Sequence, residues 1–350
     1  MRYSVSFGGQ EVIGIGTEQE TRKPSQKRQM RVDAAGLGVL ALLIVSWSFG
    51  PLIIHRFFHL GISIWDQNAV RYTLAAGMVW LLIGLKYRRQ QSELRSQLAG
   101  GHWRRSLVPA VPGLVLQITL SWALYKIQPG LLSLLHKQYV IWAVFLAMLA
   151  FPEERRLLQQ WRFWVGFACV IGGGLGVLLL KSDLSYSSEE WFGLILVFIF
   201  AVSTALYSVS VRALMGSQSD PMVFYGILAL YVFVPLWVPS IAQGKIGTWG
   251  SWPVEAWALM VISSLCNIAL SHMAYFWVVR RMGVTISNTV MMTTAFTTTL
   301  LSWWFYGERL QWGQWLGGAV LVSGAVLTVL SEQRLQGSPQ DAIDRPEPAD

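Results

Sequence analysis

Ten runs of about twenty mostly apolar residues dominate this 350-residue chain, and they leave it few places to fold except a lipid bilayer. They fall near residues 34–54, 67–85, 107–127, 130–151, 163–180, 191–211, 222–241, 256–279, 284–306 and 312–330. Inside hydrocarbon every backbone N–H and C=O must be paired within the protein, so the spanning element is a helix or a closed barrel. The runs lack the period-two alternation of a barrel strand, which leaves helices. Only 13% of residues are charged, against about a quarter in a soluble domain, so the surface is not built for water. The 18 Trp residues suit the two lipid–water interfaces.

The net charge of +8 does not mark a nucleic-acid groove, because the basic residues cluster between the apolar runs. Read as a topology signal, they put both termini in the cytoplasm. The inside then holds the tail cluster Arg22, Lys23, Lys27, Arg28 and Arg31, and the loop cluster Lys86, Arg88, Arg89, Arg95, Arg104 and Arg105. The outside keeps only Arg56, Lys126, Lys181, Lys245 and Arg309. Residues 1–33 and 331–350 read as disordered cytoplasmic tails, and the first carries no signal-peptide pattern. Cys169 and Cys266 both lie in apolar runs and define neither a disulfide framework nor a metal site.

The second half of the chain echoes the first. Ser133 and Ser287 stand 154 positions apart, as do Glu154 and Glu308; Trp164, Gly166 and Gly173 are matched by Trp315, Gly317 and Gly324. Two amide–Ser–Tyr strips at four-residue spacing, Gln117/Ser121/Tyr125 and Asn267/Ser271/Tyr275, each fall on one helix face. The fold expected is therefore an all-α membrane protein of ten helices in two five-helix repeats, 34–180 and 181–330. An odd number of helices per repeat inverts the second relative to the first, the architecture of secondary transporters.

The chain resembles the ten-helix EamA-type proteins of the drug/metabolite transporter superfamily. The likeness is carried by Arg281-Met282-Gly283, Phe296, Gly307-Glu308-Arg309-Leu310, Gln314-Trp315-Leu316-Gly317 and Gly324. In the first half Glu154-Arg155, Trp164, Gly166 and Gly173 carry it more weakly. The resemblance implies an inner-membrane carrier that exports amino acids or related small metabolites by alternating access, without a cofactor. Family members often have a proline near the middle of helices 4 and 9; Val140 and Thr294 stand there instead, which removes an expected kink.

Lys137 is the leading candidate for substrate binding. A Lys at the centre of a spanning helix costs about 2.5–3.5 kcal/mol, so it faces the protein interior or water, where it can bind a carboxylate or phosphate. The alternative is that it snorkels to the nearer interface. Ser133, one turn earlier, can add a hydrogen bond, and His136 can relay protons, giving a route to proton coupling. Arg71 either binds an anionic substrate or pairs with Asp66. Tyr125, Ser271, His272 and Tyr275 come from the two polar strips, and Thr293 from a hydroxyl stripe of Thr289, Thr293 and Thr297 beside Asn288. Glu154 and Glu308 fit capping or pairing with Arg155 and Arg309. The competing readings are a membrane enzyme and a channel or sensor. Of the five His residues only His55 and His59 are four apart, and no Glu separates them in the manner of a metalloprotease motif. The partners expected are a small-molecule substrate and the bilayer.

Overall fold

A computed structural model describes residues 34–99, 101–180, 187–215, 220–282 and 291–336. Among them the structure is helical, without strands. The helices are α1 (Ala34–His59), α2 (Ile64–Lys86), α3 (Gln91–Ala99), α4 (His102–Leu124), α5 (Pro129–His136), α6 (Tyr139–Ala150), α7 (Trp161–Leu179), α8 (Ser188–Leu214) and α9 (Pro221–Gln243). They continue with α10 (Val254–Ile262), a π-helical stretch (Ser263–Leu270), α11 (Ser271–Met282), α12 (Thr294–Tyr306) and α13 (Trp312–Gln336).

Among the described residues nine segments are long and apolar enough to cross a membrane, so the chain is a multi-pass membrane protein. The expected segment 284–306 is described only from Met291 onward, as the 13 residues of α12 preceded by a turn. Gly283, Ser287, Asn288 and Thr289 lie outside the described residues. Two expected single spans prove to be interrupted: one is split into α5 and α6, the other into α10, the π-helical stretch and α11.

Local sequence sets the helix starts. Ser63 caps α2 by accepting from the Trp65 amide, and Asp220 caps α9 by accepting from Met222 at 3.0 Å, with Pro221 following at the first helical position. Ser187 and Glu190 form a reciprocal capping box on α8. Gly307, in the left-handed region at φ 66°, ends α12.

The helices pack mostly across the two halves of the sequence. α4 packs on α8 and α9, and α6 on α8. α1 packs on α11 and α12, and α2 on the π-helical stretch. Three further interfaces join α2 to α9, α5 to α12 and α7 to α13. The last is built on glycine. Gly166 meets Gly324 and Gly173 meets Gly317, so the helices run antiparallel through a shared crossing. A Cβ on Gly317 would stand 2.6 Å from the Val177 amide nitrogen, and one on Gly324 would stand 2.7 Å from the Gly166 carbonyl. Only backbones without side chains approach this closely.

Candidate functional site

The helix is broken where α5 meets α6. No proline stands there, yet the helix tightens through Lys137 and Gln138. Lys137 N donates to Leu134 O at 3.1 Å and Ile141 N to Gln138 O at 3.1 Å, three residues back instead of four. The helix is therefore interrupted here without the proline. On the facing element a turn at Met292 and Thr293 precedes α12. Lys137 joins the two interruptions: its Nζ donates to Thr294 Oγ1 at 2.7 Å and lies 3.4 Å from Met291 O. Thr294 Oγ1 passes its own proton to Met291 O at 2.7 Å. Backbone carbonyls freed at a helix end are a natural seat for a cation.

Lys137 is only 7% exposed and, among the described residues, forms no ion pair with a carboxylate. Its ammonium points into the protein, so the snorkelling alternative is set aside. Ser133 lies buried one turn earlier.

His136 points elsewhere, as adjacent positions on a helix must. Its Nε2 is 3.1 Å from Thr204 Oγ1, whose only proton goes to Phe200 O at 2.8 Å. Nε2 therefore carries the proton in that bond. The imidazole is stacked on Phe200, centroids 4.0 Å apart, and on Tyr139 at 5.0 Å. In the other half His272 donates from Nδ1 to Ile268 O at 2.8 Å and stacks on Tyr225 at 5.0 Å. Tyr275 rests on Trp47 at 5.4 Å, and Ser271 meets Ser46 at 2.9 Å.

The remaining candidates are dispersed. Tyr125 donates to Ile62 O at 2.8 Å, at the α1–α2 turn, and packs on Phe58. Thr293 is exposed in the turn before α12, and its neighbour Thr294 takes the place against Lys137. The inward hydroxyl stripe is Thr294, Thr298 and Ser302, all buried, instead of the one through Thr293 and Thr297. Its four-residue spacing was present in the sequence, but nothing in the sequence fixed the rotation of the helix.

Arg71 and Asp66 do not pair. Five residues apart on a helix, they point about 140° away from each other. Arg71, 2% exposed, donates from Nε to Ser263 Oγ in the π-helical stretch and from Nη1 to Gln67 Oε1, both at 2.9 Å. Asp66 instead accepts from Ser240 Oγ at 2.6 Å and from the Lys245 amide at 2.7 Å. Ser263 and Gln67 had no distinguishing pattern in the sequence.

Glu308 caps α5: its two carboxylate oxygens accept from the Gly130 and Leu131 amides, each at 2.8 Å. Burial raises its pKa above the ordinary carboxylate value, and the two amide bonds act against that rise. The side chain of Glu154 lies outside the described residues. Among the described residues no three potential metal ligands gather in one group.

Residues 191–330 match the family model of the EamA-like transporter family. Among solved structures, one crystal structure of a protein matches with a TM-score of 0.58 at 18% identity, covering 87% of this chain and 99% of that one. At that identity the likeness carries the fold alone. No curated protein matches the chain significantly.

Proposed function

We propose that this chain, a member of the drug/metabolite transporter superfamily through its EamA-like residues 191–330, is a secondary transporter exporting a small carboxylate- or phosphate-bearing metabolite such as an amino acid. The observation that carries the substrate class is Lys137, a buried cation between the α5–α6 break and the turn before α12, with no carboxylate bonded to it among the described residues. A charge held in a bundle without a counter-ion is costly, and an anionic substrate arriving there supplies the missing partner. Tyr139, stacked on His136, would pack against the remainder of that molecule.

Alternating access is supported by the packing pattern. If 34–180 and 181–330 are inverted repeats of five spans each, several contacts of one repeat have counterparts in the other. The α4–α8 contact corresponds to α11–α1, α6–α8 to α12–α1, and α4–α9 to the π-helical stretch on α2. The α2–α9 and α7–α13 interfaces map onto themselves. This favours moving bodies that mix the halves: α4, α5, α6, α8 and α9 against α1, α2, α10, α11 and α12. The interior between them opens in turn to each side. With both termini cytoplasmic in the inner membrane, as the basic loops favour, the end of the bundle bearing the α1–α2 turn faces outward.

The test is a comparison of metabolites released by cells carrying the protein, its Lys137→Ala variant, or neither. One class of small anion accumulating outside only with the native chain supports the reading, while three identical profiles count against export. Proton coupling through His136 predicts that collapsing the pH gradient stops release, and persistence of release rejects it.

A further inference from the structure

At the same end of the bundle as the α1–α2 turn, the last turn of α1 carries the chain's one pair of histidines at four-residue spacing, His55 and His59. Their Nε2 atoms face each other at 3.2 Å. His55 Nδ1 lies 2.5 Å from the Leu124 carbonyl, which can only accept, so Nδ1 carries the proton. His55 Nε2 is then a bare lone pair, turned toward the imidazole of its neighbour. A carbonyl holding the far nitrogen is the arrangement by which proteins orient a metal-binding histidine.

The separation fits such a use. With metal–nitrogen bonds of about 2.0–2.1 Å, two imidazoles on one ion stand roughly 2.9 Å apart at a right angle and about 3.3 Å apart at a tetrahedral one. The observed distance lies between the two. The surroundings hold the rings without competing for the site. Tyr306 lies flat against His59 at 5.8 Å and edge-on to His55 at 4.8 Å, while its hydroxyl donates to Leu52 O at 2.8 Å. The nearby Glu255 is bound to Arg56 at 2.7 Å and 3.1 Å. His55 is buried and His59 exposed, so one ligand is anchored and the other is open to solvent.

We propose that His55 and His59 form a binding site for a late first-row divalent metal ion such as Zn²⁺, with water completing the coordination. Imidazole nitrogen suits zinc, nickel and copper, and neutral nitrogen donors give little hold on calcium or magnesium. The ion would displace the proton His59 now shares with His55 and would tie the last turn of α1 together. The site is independent of the transport reading.

The test is calorimetric titration of Zn²⁺ into the full-length, tag-free protein in detergent. One ion per chain is expected, with binding abolished in both His55→Ala and His59→Ala and retained in His102→Ala. Because His59 is exposed, its variant should fold even if the His55 variant does not. Absence of zinc binding, binding unchanged in His59→Ala, or equal loss in His102→Ala would each overturn the assignment.

Discussion

Two interfaces join the first half of the chain to the second, and they are built on opposite principles. Where α7 crosses α13, the helices are continuous and the contact is glycine backbone against glycine backbone. Where α5 and α6 meet the start of α12, the first element is interrupted, a turn precedes the second, and the contact is a buried ammonium on a hydroxyl and a carbonyl. The first has a single close-packed arrangement, since any displacement opens a void that no side chain can fill. The second is held by groups that an incoming ligand can replace. In the proposed transport cycle, one crossing would serve as a fixed pin, and the other would be where binding energy is converted into movement.

The sharpest way to break this contrast is to load the pin. Gly173→Leu places a side chain where a Cβ already comes within 2.6 Å of the Gly317 carbonyl, so folded, monodisperse protein should be lost on size exclusion. A normal elution profile would mean that the seam is looser than the packing requires. Lys137→Ala should do the reverse, leaving protein level and elution unchanged while transport disappears. Thr294→Val tests the same crossing more gently. It removes the 2.7 Å partner of a charged donor, worth about 1.5–3 kcal/mol, and should reduce transport, with Thr294→Ser restoring it.

The smallest effect belongs to the α2–α9 interface. Asp220 caps α9, accepts from Lys86 and takes the Tyr87 hydroxyl at 2.5 Å. Burial alone would raise its pKa, but the hydrogen bonds from Lys86 and Tyr87 prevail and hold it below the ordinary 3.8. A depressed carboxylate contributes stability that is fully present above 3.8 and is lost as pH falls through its folded value. Asp220→Ala should cost about 1 kcal/mol at neutral pH and flatten the acid limb of a thermal-unfolding series. An unchanged acid limb would remove Asp220 from the account.

The sequence made the spans legible because twenty apolar residues in a row have one physical use. It also exposed Lys137, since a cation in such a run is costly enough to need a reason. What it left hidden was rotation and interruption. Thr293 and Thr294 belong to equally regular stripes, and only the facing Lys137 decides between them. The break at Lys137–Gln138 occurs without proline or glycine, so no local signal announced it. Arg71 and Asp66 invited pairing by charge, but helical rotation sends them to Ser263 and Ser240 on different neighbours. Partners recruited from distant segments leave no trace in local spacing.

The central claim, that an anion seated at Lys137 is what the bundle carries, is tested most directly by counterflow in proteoliposomes. Vesicles are loaded with the anion identified from the release experiment and given a labelled trace outside. The native protein should concentrate the label transiently, and Lys137→Ala, reconstituted at equal amount and with an unchanged elution profile, should not. Counterflow by Lys137→Ala at the native rate would contradict the account.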